Sequence, residues 1–119
     1  MKIYCKSCGI PLSNDLSLLT DKNKLNTEAE MPLVPKGFVW EEDEESVVAW
    51  EGQFVIHLED FINLDSHPDL TRFHGCCGLD GMNGPHYLCK NGHEVATENS
   101  DCWMPHCLIF ETDAVELRD

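Results

Sequence analysis

The sequence predicts a small, loop-rich single domain of the α+β or mostly β class. The chain has 119 residues, which is enough for one hydrophobic core and too few for two. Its apolar residues come in short β-rich runs separated by turn-forming and acidic residues, a pattern typical of an antiparallel meander. Glycine, cysteine and histidine concentrate in the C-terminal third. That composition predicts tight turns and a need for support beyond apolar burial.

Composition divides this single domain into three regions. Residues 1–36 combine a cysteine motif with a polar, proline-punctuated stretch, and we expect a short strand, a knuckle and an irregular arm. Residues 37–71 contain ten acidic residues and no lysine or arginine, and we expect an acidic β meander there. Residues 72–119 contain most of the glycine and cysteine, and we expect a hairpin region that ends in a last strand at 107–111.

Three short apolar runs are the expected strands of the meander. In the third run, Phe54 and Ile56 alternate with Val55 and His57. This alternation predicts one face in the core and the other partly exposed. The three runs are residues 38–40, 47–50 and 54–58.

A β-hairpin is the strongest local signal in the C-terminal region. The strand-like residues 87–90 and 93–97 flank Asn91-Gly92, a pair typical of two-residue hairpin turns. A two-residue turn at this point places Cys89 opposite Glu94.

The charge balance excludes some classes of partner. Asp and Glu number 22 against 8 Lys and Arg, which gives a formal net charge of -14. So negative a chain is repelled by nucleic-acid phosphates and by anionic lipid, and we expect neither nucleic acid nor membrane as a partner. A basic protein is the natural partner for such a surface.

The cysteines indicate metal binding in a reducing compartment. The N-terminus has no apolar signal-peptide core, and no apolar run approaches the roughly 20 residues that span a bilayer, so we expect a cytoplasmic location. The chain contains 7 Cys and 6 His. In a reducing compartment, an odd number of cysteines favours thiolate ligands over a disulfide framework.

The most specific motif is Cys5-Lys6-Ser7-Cys8-Gly9. Two thiolates separated by two residues and followed by glycine can bind one ion while backbone N–H groups point at the sulfur atoms. These five residues resemble the N-terminal knuckle of zinc-ribbon and related zinc-finger proteins. The resemblance implies that the motif binds zinc, and it implies no enzymatic activity. A ribbon offers a second Cys-x-x-Cys after about 15 to 20 residues, whereas the next cysteine here is Cys76.

The other ligands must therefore come from the C-terminal third. A site that joins both ends closes a loop of roughly seventy residues and restricts the unfolded chain, so its role is structural. We expect one zinc ion, and the chain has donors enough for a second ion near residues 102–107. The sequence does not distinguish zinc from iron, because a site of four cysteine thiolates also binds iron. The expected ligands are Cys5 and Cys8 with two of Cys76, Cys77 and Cys89; further candidates are Cys102, Cys107, His74, His93 and His106.

One further region in the C-terminal third is similar to a segment of small bacterial proteins of unassigned function. This resemblance implies no activity. The region runs from Gly75-Cys76-Cys77-Gly78-Leu79-Asp80-Gly81 through Asp101-Cys102-Trp103-Met104-Pro105-His106.

An acidic run between the first two expected strands is the candidate partner-binding segment. Such a run commonly forms a solvated hairpin tip. It can also steer the protein onto a basic surface, as in small acidic immunity-type proteins that neutralise basic toxins or nucleases. We expect a zinc-binding interaction module of that kind. The run consists of Glu41, Glu42, Asp43, Glu44 and Glu45.

The alternative function is a small metal-dependent hydrolase. Its site would use His57, His67 or His74 with nearby carboxylates and one open coordination position for water. The chain contains no HExxH motif, no GxSxG motif and no phosphate-binding glycine loop. The sequence therefore favours a binding protein over an enzyme.

Overall fold

The computed structural model describes residues 1–41, 53–73, 78–79, 84–111 and 113–118. Within these ranges the chain is mostly β and contains no α-helix, which confirms the mostly β form of the predicted class. Two short 3-10 turns occur at Lys22–Lys24 and Leu70–Arg72. The strands are β1 Lys2–Cys5, β2 Ser17–Leu18, β3 Phe38–Glu41, β4 Phe54–Ile56, β5 Leu64–Ser66, β6 Tyr87–Cys89, β7 Glu94–Asn99, β8 Cys107–Phe110 and β9 Val115–Arg118.

The strands form two sheets. The larger, open sheet has the order β2-β3-β4-β8-β7-β6-β5, and the smaller one pairs β1 with β9. Every pair is antiparallel except β2 with β3. The pairing of β4 with β8 joins the N-terminal strands of the large sheet to the C-terminal meander. No helix in the described ranges has the length and apolar character needed to cross a membrane.

Both faces of the large sheet are covered at its centre. Val55 and Ile56 are adjacent on β4 and are both fully buried, each in a different apolar cluster. The prediction of one partly exposed face on this strand was therefore wrong at Val55. The irregular arm explains the difference, because Leu19, Leu33 and Val34 from this arm bury the second face. That second cluster also contains Trp40, Cys107 and Ile109.

A strand occurs in each of the predicted strands 38–40, 54–58, 87–90, 93–97 and 107–111, with ends shifted by at most two residues. Strands β2 and β5 were not predicted, because they are short and contain one apolar residue each. Strand β9 was not predicted either, because its alternating apolar residues, Val115 and Leu117, span only four positions. The predicted strand at 47–50 lies outside the described residues.

The predicted hairpin exists, but its turn is longer than expected. Cys89 N–H donates to the His93 carbonyl (2.9 Å), and Gly92 N–H donates to the Cys89 carbonyl (2.9 Å). The loop therefore has three residues, Lys90 to Gly92, with Gly92 in the left-handed region at φ 87°. This is the common three-residue loop with a glycine bulge. Leu88, and not Cys89, consequently pairs with Glu94.

Candidate metal centre

The Cys5–Cys8 motif forms a compact knuckle at the end of β1. Cys5 pairs with Val115 of β9, which fixes the start of the knuckle. Gly9 N–H donates to the Cys5 carbonyl (2.7 Å), and Cys5 N–H donates to the Ile10 carbonyl (2.9 Å). Gly9 has φ 73°, a conformation that glycine adopts at little cost. The chain therefore turns back directly after Cys8, as the motif predicts.

The β6–β7 hairpin supplies the opposite half of the site. The three-residue loop makes Cys89 and His93 the two residues that close the hairpin. Cys89 Sγ and His93 Nδ1 lie 3.1 Å apart. The backbone N–H of Asn91 in the loop donates to Cys89 Sγ (3.4 Å). N–H donors of this kind orient the sulfur atom of a metal ligand.

One donor atom from each of Cys5, Cys8, Cys89 and His93 lies within 4.8 Å of the other three. Cys8 Sγ is 3.7 Å from Cys89 Sγ, and Cys5 Sγ is 3.7 Å from His93 Nδ1. A tetrahedral zinc ion with Zn–S near 2.3 Å and Zn–N near 2.0 Å requires about 3.8 Å between sulfur atoms and about 3.6 Å between sulfur and nitrogen. The donor atoms are therefore close to the spacing that one ion needs.

The two cysteines of the knuckle differ in their acidity. Burial raises the pKa of the Cys5 thiol to about 11, whereas the backbone N–H of Ile10 lowers the pKa of Cys8 to about 6. Cys5 and Cys89 are almost fully buried, and Cys8 and His93 are half-buried. Several thiolates this close together repel one another, and burial increases the repulsion. A divalent cation removes that penalty.

The arrangement suits a structural ion. Three thiolates and one imidazole are soft and borderline donors, which zinc prefers over the oxygen ligands that calcium and magnesium take. Four protein donors complete a tetrahedron and leave no position for a substrate or a reactive water molecule. The residues therefore fit the zinc ion expected from the sequence.

Three of the predicted ligands are brought together by the fold, namely Cys5, Cys8 and Cys89. The other two, Cys76 and Cys77, lie outside the described residues. His93 stood among the further candidates and not in the expected set. The signal that identifies it is the spacing Cys89-x-x-x-His93 with glycine at the last loop position, which fits a three-residue hairpin loop.

The remaining cysteines and histidines form no second group of three or more metal donors in the described part of the chain. His67 Nε2 contacts Glu94 Oε1 at 3.2 Å, and His57 Nδ1 accepts the backbone N–H of Glu59 at 3.0 Å. Cys102 and Cys107 both lie outside the group. His74 lies outside the described residues.

The acidic run is described only at its first residue. Glu41 is exposed at the end of β3. Glu42, Asp43, Glu44 and Glu45 lie outside the described residues.

Comparison with known proteins gives no relative for this chain. No family model, no curated protein and no solved structure matches it.

Proposed function

We propose that this protein is an acidic interaction module that contains one structural zinc ion and binds a basic protein. Its concrete form is an immunity-type inhibitor of a basic toxin or nuclease. The observation that carries the zinc part is the closed group of Cys5, Cys8, Cys89 and His93, whose donor atoms lie within 4.8 Å of one another. A complete protein ligand set favours structure over catalysis.

The position of this group explains why the fold needs an ion. Cys5 ends β1 of the two-stranded sheet, and Cys8 lies in the knuckle after it. Cys89 ends β6 of the seven-stranded sheet, and His93 directly precedes β7. An ion between them ties residues more than 80 positions apart in a chain of 119. Closing so long a loop restricts the unfolded ensemble and stabilises the folded state.

Surface charge supports the basic partner. In the part of the chain that the structure describes, four lysines and arginines lie within 3.6 Å of a carboxylate of this same chain, which cancels part of the positive charge. Carboxylates on several loops are exposed. A surface of one sign accelerates encounter with an oppositely charged protein. Exposed acidic residues include Asp21, Glu28, Glu30, Glu41 and Asp113.

Metal content tests the zinc part. We expect about one zinc per chain after purification under reducing conditions, and unfolding when a strong chelator removes it. Cys8→Ser should lose most of the metal. Cys102→Ser is the matched control, because Cys102 is also half-buried but lies outside the donor group. Equal zinc content in both variants, or a chain that stays folded without metal, contradicts the proposal.

Two probe proteins of the same fold and opposite charge test the basic-partner part. We expect lysozyme, which is basic, to bind at low ionic strength and to dissociate as salt increases. The acidic protein α-lactalbumin should not bind. No binding of lysozyme at an ionic strength of about 0.02 M, or equal binding of both probes, contradicts the proposal.

A further inference from the structure

A pocket of about 210 Å³ lies on the surface away from the cysteine cluster. It is built from three separate parts of the chain, the irregular arm, the turn after β4 and the segment before β8. Its lining includes two glutamates and two histidines. The residues that line it are Glu30, Pro32, His57, Leu58, Glu59 and His106.

Backbone hydrogen bonds hold one wall of the pocket in place. Glu30 N–H donates to the Met104 carbonyl (3.0 Å), and His106 N–H donates to the Met31 carbonyl (2.8 Å). Leu33 N–H then donates to the His106 carbonyl (2.9 Å). The arm and the segment before β8 therefore run side by side, and this pairing fixes the backbone of Glu30 beside that of His106.

Hydrogen bonding indicates which ring nitrogen carries the hydrogen in each neutral imidazole. His106 Nε2 lies 3.1 Å from the Asp101 carbonyl, which only accepts, so Nε2 carries the hydrogen. Its Nδ1 is then an acceptor when the ring is neutral. His57 Nδ1 accepts the backbone N–H of Glu59, so its hydrogen is on Nε2. The ring nitrogen of His106 that remains available is therefore an acceptor, whereas that of His57 is a donor. Glu30 and Glu59 add two acidic residues to the lining.

An exposed tryptophan stands next to this wall. Trp103 is 64% exposed, and its Nε1 donates to Asp101 Oδ2 at 3.1 Å. Asp101 is 2% exposed, and its carbonyl also holds the His106 ring. One buried residue therefore fixes both the tryptophan and a histidine of the pocket. A large aromatic side chain held rigidly in solvent is the residue type most enriched at binding hot spots.

We propose that the pocket and Trp103 together form the docking surface for the basic partner, with an arginine side chain of that partner in the pocket. This inference rests on the proposed function and names its contact site. The argument for the occupant is charge complementarity. Glu30 and Glu59 offer carboxylates to a guanidinium, whose planar fork suits such acceptors, while the Trp103 indole packs against apolar or cationic groups beside it.

A lysine of this chain already lies at the rim. Lys36 Nζ is 3.4 Å from Glu59 Oε2, and both side chains are mostly exposed. An exposed pair of this kind is weak and exchanges readily with a competing cation. Lys36 therefore competes with the incoming arginine, and removing its charge should strengthen binding.

The test uses amide NMR shifts of the intact zinc-loaded protein with N-acetyl-arginine amide as the probe. N-acetyl-citrulline amide, which has the same shape and no charge, is the matched ligand. We expect arginine amide to shift the amide signals of residues 30, 31, 57–59, 103, 104 and 106, and citrulline amide to leave them unchanged. Shifts elsewhere only, or equal shifts with both probes, overturn the proposal.

Substitutions test whether arginine amide binds in the pocket. Glu30→Gln combined with Glu59→Gln should weaken binding of arginine amide about tenfold, because both charge-assisted contacts are lost. Lys36→Met should tighten it. Asp113→Asn is the control, because it removes an exposed carboxylate that does not line the pocket. If Asp113→Asn weakens binding of arginine amide as much as the Glu30→Gln and Glu59→Gln double variant does, the effect is one of general charge and the proposed site is overturned.

Lysozyme binding separates this inference from the proposed function. If lysozyme binds the wild type and the pocket variants equally, the docking site is wrong and the proposed function stands. If arginine amide occupies the pocket but lysozyme does not bind, the pocket is an arginine site and the proposal of a basic protein partner fails. Trp103→Ala should weaken lysozyme binding and leave the zinc content unchanged.

Discussion

The backbone of Glu30 adopts a conformation that a glutamate rarely takes. Its φ is 66°, in the left-handed region where a Cβ atom crowds the backbone. The pairing of Glu30 N–H with the Met104 carbonyl holds it there. Strained residues of this kind concentrate at functional sites, and Glu30 lines the pocket described above.

Replacing Glu30 by glycine separates stability from binding. Glu30→Gly should raise the free energy of unfolding by about 0.5–1 kcal/mol, because glycine has no Cβ to crowd. The same change should weaken binding of arginine amide, because one of the two carboxylates of the pocket is lost. Glu28→Gly is the control and should lower stability by about 0.5–1 kcal/mol, since Glu28 has no positive φ and glycine costs chain entropy. Urea unfolding of both variants measures the difference, and a destabilised Glu30→Gly contradicts the argument.

Asp69 gives a pH-dependent prediction. The Thr71 hydroxyl and backbone N–H both donate to its carboxylate, and with Arg72 nearby they hold the pKa of Asp69 below its ordinary value. Because the pKa is lowered in the folded state, these contacts stabilise the fold above the unfolded pKa of about 3.9. The contribution is lost as pH falls through the folded pKa.

Removing one donor tests this cause. Thr71→Val should raise the pKa of Asp69, whereas Thr71→Ser keeps the hydroxyl and should leave it low. Carboxyl NMR titration between about pH 2 and 6 reads the pKa directly. An unchanged value in Thr71→Val would mean that the hydroxyl is not the main cause.

At the scale of elements, the hairpin shows what the sequence could and could not predict. Its two strands and its turn follow from the flanking β-rich residues and Asn91-Gly92. The loop length does not follow, because the same pair fits loops of two or three residues. That one-residue difference decides the site, since only the three-residue loop makes His93 the partner of Cys89.

The knuckle was predictable in full because its chemistry is local. Cys5, Cys8 and Gly9 lie within five residues, and spacing alone fixes their geometry. The second half of the site depends on contacts between residues far apart in the chain. The same reason explains why strand β9 was missed, because its apolar alternation is only four residues long and its pairing with β1 is what defines it.

Gly92 is the residue on which the hairpin loop depends. Its φ of 87° disfavours every residue with a Cβ, although asparagine tolerates this region better than alanine. Gly92→Ala should lower the free energy of unfolding by about 1–2 kcal/mol and should weaken zinc binding. Gly92→Asn should lose less of both. Chelator competition and thermal unfolding measure the two effects, and equal losses in the two variants contradict the role of φ.

At the scale of the whole molecule, the donor group joins two sheets that share no strand. The small sheet pairs β1 with β9 and contributes Cys5, with Cys8 in the knuckle after β1. The large sheet contributes Cys89 and His93 through one hairpin. A zinc ion at this junction would crosslink the domain, whereas the pocket proposed for arginine is lined by other segments. The two proposals therefore concern separate parts of the chain.

X-ray absorption at the zinc edge of the purified protein tests most directly whether three cysteines and one histidine bind a structural zinc ion. The account predicts one zinc per chain with three sulfur ligands near 2.3 Å and one nitrogen ligand near 2.0 Å. His93→Ala should remove the nitrogen contribution. A coordination shell of four sulfur atoms would mean that another cysteine, and not His93, is the fourth ligand. A shell with an oxygen ligand and an open position would indicate a catalytic ion. Either result, or a protein without zinc, contradicts the account.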